Sequence, residues 1–124
     1  MECRIIKSPS KGTLDILFRR KGSPVTTEIP EYDAVGLVQG RLIDMSSGFL
    51  TIDQSSFEWE LTGYEEIDFV VAGSLQLTIN GITRRAVQGD VIFIPKGSRV
   101  TWQAEGFVKL FYTTYPADWA DQMA

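Results

Sequence analysis

Short apolar or alternating runs separated by turn residues recur along most of the chain, and this pattern predicts an antiparallel β-protein. The clearest run is Ser74 to Ile79, SLQLTI, which puts Leu75, Leu77 and Ile79 on one face and Gln76 and Thr78 on the other. Asn80-Gly81 follows directly. Both central residues of a type I′ turn need positive φ, so this dipeptide predicts that Ile82 to Val87 folds back on Ser74 to Ile79. Gly89-Asp90 marks the next turn, Val91 to Ile94 (VIFI) a buried strand apolar on both faces, and Pro95-Lys96-Gly97-Ser98 a reversal. Arg99 to Ala104 and Phe107 to Tyr115 read as two further strands parted by Glu105-Gly106.

Upstream, Thr13 to Arg19, Ala34 to Gln39, Phe49 to Asp53, Phe57 to Leu61 and Glu66 to Ala72 are predicted strands, and Asp44 to Gly48 a turn. Cys3 to Ile6 would add an N-terminal strand. Lys21 to Asp33, with Pro24 and Pro30, reads as an arm or surface lid with little strand signal. Pro116 to Met123 is a predicted terminal helix, since proline is tolerated at the first helical position. The resulting organisation is one domain: N-terminal strands and arm over 1–33, barrel over 34–115, helix or tail over 116–124.

Composition narrows the function classes. A chain of 124 residues is the size of a single domain. With 12 basic against 16 acidic side chains and a net charge of −4, it has no positive excess to neutralise phosphates along a nucleic acid. No apolar run approaches the roughly 20 residues that span a bilayer, and MECRIIKSPSKG lacks the apolar core of a signal peptide. The lone Cys3 has no cysteine partner and no histidine to activate it. A cytoplasmic protein that binds neither nucleic acid nor membrane is the expectation.

Gly89, five residues, Pro95, one residue and Gly97 resembles the second motif of the cupins, and Glu66, six residues and Gly73 matches the end of their first. The resemblance implies an all-β fold, a cupin-type double-stranded β-helix or jelly-roll barrel, here with a short C-terminal helix. In metal-dependent cupins the two motifs carry three histidines and a glutamate. Mapped with the shorter family spacing, those positions fall on Glu60, Thr62, Glu66 and Val100; with the longer spacing the first two fall on Trp59 and Leu61. This chain contains no histidine, so a three-histidine metal site is excluded and any metal must accept oxygen ligands.

WELTGYEEIDFVVAG, GDVIFIPKGS and FYTTYPADW resemble more closely the ethanolamine-utilization Q proteins (EutQ), a histidine-free cupin family of bacterial ethanolamine catabolism. The residues that carry the likeness are Trp59, Leu61, Tyr64, Glu65, Glu66, Asp68, Gly73, Gly89, Pro95 to Ser98, Tyr115 to Ala117 and Trp119. The resemblance implies acetate-kinase activity with Mg²⁺ and ATP, and an association with ethanolamine microcompartments and their components. Compared with longer members, the chain is expected to lack an N-terminal region of about a hundred residues, and Gly63 reads as an insertion. Cupins commonly pair, which implies a homodimer.

Candidate chemistry centres on carboxylates. Glu60, Glu66 and Asp68 share parity, so an unbroken strand would face all three one way, and a turn at Thr62-Gly63 would break that register. Glu60 and Glu66 are the candidate catalytic pair. Converging in an apolar barrel, they would form a proton-transfer pair or hold Mg²⁺. Asp68 is a candidate ligand contact; the competing reading makes Glu65, Glu66 and Asp68 an exposed acidic face, with Asp68 a turn or arginine partner. Trp59, Tyr64, Phe93, Trp102 and Tyr112 are candidate pocket walls, against the alternative of plain core. Lys96 and Arg99 read as solvated charges. Three functions follow: acetate-kinase-like phosphoryl transfer, an isomerase or lyase using paired carboxylates on a small organic acid or similar ligand, and a non-catalytic binding or assembly module.

Overall fold

The computed structural model of the protein describes residues 19–20, 23–24, 28–29, 32–41 and 44–116, with side chains over the last span. The described residues form strands β1 (Arg19–Arg20), β2 (Ser23–Pro24), β3 (Glu28–Ile29), β4 (Tyr32–Arg41), β5 (Ser46–Ile52) and β6 (Ser55–Glu60). They continue as β7 (Glu65–Ala72), β8 (Ser74–Ile79), β9 (Ile82–Val87), β10 (Val91–Ile94), β11 (Arg99–Ala104) and β12 (Val108–Tyr115). A six-stranded sheet in the order β10-β7-β12-β5-β4-β3 faces a four-stranded sheet in the order β6-β11-β8-β9, and β1 pairs with β2.

The path between the two large sheets defines the fold. β5 runs into β6, β7 into β8 and β11 into β12, and each pair crosses from one sheet to the other while staying hydrogen-bonded to its neighbours. That is a ribbon of antiparallel strands bent through a corner, the double-stranded β-helix the sequence predicts. Alternation does the rest. Val108, Leu110 and Tyr112 of β12, Val70 of β7, Leu75 and Leu77 of β8, and Val100 and Trp102 of β11 all turn inward and are buried. Burying an aliphatic side chain of this size contributes about 1.5–3 kcal/mol, so these rows are the main source of stability.

The Asn80-Gly81 turn has the expected geometry, with φ of 53° and 77°, and Ile79 faces Ile82 across it. Gly97 also has positive φ, and Ser98 Oγ–H donates to the Pro95 carbonyl at 2.7 Å. One expected turn is instead strand. Ser46, Ser47 and Gly48 belong to β5, because the Ser46 hydroxyl pairs with that of Thr114, Ser47 with Thr113 at 3.1 Å, and Gly48 stands opposite Tyr112. Within the predicted arm, β3 pairs with β4 and extends the large sheet. Cys3 to Ile6, most of Thr13 to Arg19, and the predicted helix beyond Pro116 lie outside the described residues.

Glu105 ties the corner together on the outer surface. Its carboxylate accepts hydrogen bonds from Ser74 Oγ at 2.6 Å, Gln76 Nε2 at 3.2 Å and Arg85 Nε at 3.1 Å, and pairs with Arg85 Nη2 at 3.0 Å. The hydrogen bonds from Arg85 and then Ser74 hold its pKa down at about 2. A depressed carboxylate adds stability that is present above its ordinary pKa of 4.5 and is lost as pH falls toward 2. Glu105→Gln is therefore expected to flatten the fall in thermal midpoint between pH 5 and 2, with a small change at pH 7, as thermal melts across that range would register.

Candidate functional site: a buried acid pair

Alternation along β7 turns Glu66, Asp68 and Val70 inward and Glu65, Ile67 and Phe69 outward. The register then builds two polar rows on the inner face of the six-stranded sheet. Ile94, Glu66, Thr114 and Ser46 stand side by side, and beside them Ile92, Asp68, Tyr112 and Gly48. Asp68 is fully buried, Thr114 and Ser46 nearly so, and Glu66 partly. A cavity of about 540 Å³ borders Glu66, Thr114, Ile94 and Pro95, so the outer acid of the pair meets a space open to solvent while Asp68 lies behind it.

Two tyrosines close the cluster. Tyr64, placed by the β6–β7 turn, accepts a hydrogen bond from Trp59 Nε1–H at 2.6 Å. Its phenol is pushed up first by burial and then by the charge of Glu66, against the lowering effect of Trp59. Tyr112 is raised well above the ordinary phenol value by burial and by both acids. Both hydroxyls stay protonated at neutral pH.

The acids themselves form a coupled pair. Asp68 is raised well above the usual carboxylate range, chiefly by burial, then by the charge of Glu66 and by direct interaction with it. Glu66 is also raised by burial, but its interaction with Asp68 opposes the shift, so Asp68 is the member that keeps a proton longer. Neither carboxylate oxygen of Asp68 has a partner at ordinary hydrogen-bond geometry, and neither does the buried Trp102 Nε1–H. Unsatisfied groups of this kind cost about 1–3 kcal/mol each unless water or a ligand meets them.

The predicted residues separate cleanly. Glu66, Asp68, Tyr64, Tyr112, Trp59 and Trp102 lie on the inner side, Trp102 stacked on Phe57 with ring centroids 6.3 Å apart. Glu60 does not. It is exposed on the outer face of β6, 3.6 Å from Arg99 Nη2, because Gly63, at φ of 77°, turns the chain and resets the parity between Glu60 and Glu66. The expected Glu60–Glu66 pair is therefore replaced by Glu66–Asp68. Asp68 is not the partner of any arginine among the residues with described side chains, Arg84, Arg85 and Arg99. Phe93 is not on the inner side with the acids, where Ile92 and Ile94 of β10 turn; it is 71% exposed, yet it borders the cavity beside Glu66 and a second one against β9. Arg99 is not free but paired with Glu58 and Glu60. Ser46 and Thr114 are inner-face hydroxyls the sequence reading missed, and their signal was the shared parity of Thr114 with Tyr112.

Trp59, Leu61 and Val100 all face inward or are buried, whereas Glu60 and Thr62 are exposed, so the longer cupin spacing is the one that fits. Val100 is fully buried beside Trp59 in the register of β11 and β6. Among the described residues no group of three histidine, cysteine or carboxylate side chains converges as a metal site.

Residues 31–121 match the sequence profile of the family described as ethanolamine utilisation protein EutQ. The chain belongs to the EutQ family. Acetate kinase EutQ of Clostridioides difficile (strain 630) is 40% identical over 78 residues, which are 63% of this chain and 49% of that protein. Acetate kinase EutQ of Escherichia coli (strain K12) is 41% identical over 75 residues, 60% of this chain and 32% of that protein. The chain thus matches half or less of the length of these curated relatives. The structure of Clostridium difficile EutQ is similar with a TM-score of 0.66 at 35% identity, covering 71% of this chain and 66% of that one. The Schizosaccharomyces pombe Cnp3 cupin domain gives 0.61 at 15% identity, covering 72% and 69%, and shares the fold. This EutQ-family chain has the cupin fold, and among its described residues no helix is long and apolar enough to cross a membrane.

Proposed function

We propose that this chain serves ethanolamine utilisation as a cupin of the acetate-kinase type, with Glu66 and Asp68 at the centre of its site. The observation that carries the reading is the fully buried carboxylate of Asp68, coupled to Glu66, which is partly exposed and borders the cavity. The reaction class comes from the relatives named acetate kinase. Mg²⁺ is a hard ion that takes one or two carboxylates and completes its shell with water and substrate phosphate oxygens, and this all-oxygen donor set fits it. Glu66, at the cavity, would hold it, and Asp68 would join once its proton is released. When bound, it would neutralise charge on the phosphoryl group being transferred. The protein's own groups supply the rest: Tyr64 and Tyr112 donate hydrogen bonds, and Trp59 and Trp102 wall the site against water.

ATP-dependent formation of acetyl phosphate tests the reading. Glu66→Gln is expected to lower the rate at least a hundredfold, while Glu60→Gln, on the outer face, retains it within about twofold. Equal rates for wild type and Glu66→Gln would remove the pair from the reaction.

A second reading has its own support. Among the described residues no lysine or arginine is fully buried with the acids, and an acid pair whose proton resides on Asp68 suits proton transfer on a small metabolite. Turnover without ATP and a pH–rate profile with two apparent pKa values would favour it.

A further inference from the structure

The edge strands β9 and β10 bound a second cavity, of about 490 Å³, which the acid pair does not enter. Leu77, Ile79, Ile82 and Ile92 give it apolar walls, and Arg84 sits at its rim. The position of Arg84 is unusual for a surface cation. It stands opposite Leu77 and shares parity with the buried Ala86 and the exposed Ile82, so it lies on the cavity side of β9 while its own side chain stays exposed. Its neighbour Arg85 also borders the cavity but is committed to Glu105, and Arg99 is committed to Glu58 and Glu60. Among residues 44–116, Arg84 is the arginine without a carboxylate partner. The cavity's own acid, Asp90, has a carboxylate oxygen occupied by the Val87 N–H at 2.8 Å.

An unpaired guanidinium over apolar walls has a definite chemical preference. Its planar fork of donors matches the oxygens of a carboxylate or phosphate, and the aliphatic surface below it suits an apolar or planar body. The volume lies in the range of small-molecule sites. We propose that the β9–β10 cleft binds a small organic oxyanion, with Arg84 holding the anionic head and Ile79, Ile82 and Ile92 covering the body. This site is separate from the acid pair, although Ile92 stands directly opposite Asp68 in the β10–β7 register. It needs no reaction at Glu66, and it holds whether or not phosphoryl transfer does.

Titration calorimetry without Mg²⁺ tests the site, using ADP as the phosphate probe and benzoate as the carboxylate probe. The proteins compared are wild type, Arg84→Ala, Arg84→Lys and the outer-face control Arg99→Ala. At least one probe is expected to bind wild type. Arg84→Ala should weaken that binding at least tenfold, Arg84→Lys less, and Arg99→Ala by under twofold. Binding of ADP alone assigns the phosphate, and of benzoate alone the carboxylate; each supports the cleft. No binding of either probe at millimolar concentration overturns the proposal, as does an Arg84→Ala affinity within twofold of wild type. Arg84 is exposed, so thermal midpoints should be unchanged and a loss of binding cannot be assigned to unfolding.

Discussion

Gly73→Ala is expected to destabilise the barrel by on the order of 4 kcal/mol, enough to unfold a domain of ordinary stability at moderate temperature. Gly73 is the residue at which β7 leaves the six-stranded sheet and β8 enters the four-stranded one, and it does so at φ of 85°. An L side chain in that region costs about 1–2 kcal/mol by itself. Space makes the change worse. A Cβ on Gly73 would overlap the Phe107 carbonyl oxygen and reach within 3.1 Å of Val108 Cα. Both obstacles are backbone, and they belong to the β11–β12 crossing that passes the same corner. Relief would therefore have to separate the two crossings. Gly81 and Gly89 provide the contrast, because each has positive φ but nothing within 4 Å of its missing Cβ. Their alanine variants should lose only the backbone term. Chemical denaturation of the three variants would show the ordering, and an equal loss in all of them would contradict the steric part of the argument.

What the sequence makes legible follows from how local the determinant is. Asn80-Gly81 encodes its own hairpin, and the parity of Leu75, Leu77 and Ile79 puts the first two in the core and the third against it before any partner is known. Within β7, the shared parity of Glu66 and Asp68 is equally local, and both do face inward. The failures have distant causes. Ser46 to Gly48 look like turn residues until Thr113, Thr114 and Tyr112, more than sixty positions away, pair with them across the sheet. Glu60 shares parity with Glu66 on paper, but Gly63 cancels that count. VIFI is apolar on both faces, so its pattern gave no means of telling that Ile92 and Ile94 turn inward while Phe93 turns out. Arg84 was invisible for a similar reason, since an arginine pair in a strand reads as solvated whichever member faces in.

If the chain forms acetyl phosphate as proposed, Asp68→Asn is expected to lower that rate at least a hundredfold and yet leave the fold as stable at neutral pH as wild type, or more so. The two halves have one cause. A carboxylate that is fully buried beside a second acid opposes folding whenever it is ionised, and the structure lowers that cost by holding a proton on it. Its folded pKa is therefore raised above its unfolded value near 3.8. Between those two values the folded chain binds a proton that the unfolded chain has released, so stability falls as pH rises, by about 1.4 kcal/mol per pH unit for one proton. The stabilising share of the protonated form is complete below the unfolded pKa and is lost as pH climbs through the folded one. Asparagine keeps the shape and carries no titrating group, so most of that slope should vanish. Thermal melts of both proteins from pH 4 to 8 measure it directly. Parallel curves would mean that Asp68 is not the proton holder. A flattened curve together with lost turnover would show that the group destabilising the barrel is also the one the site uses, which is the usual reason for a fold to keep such a group.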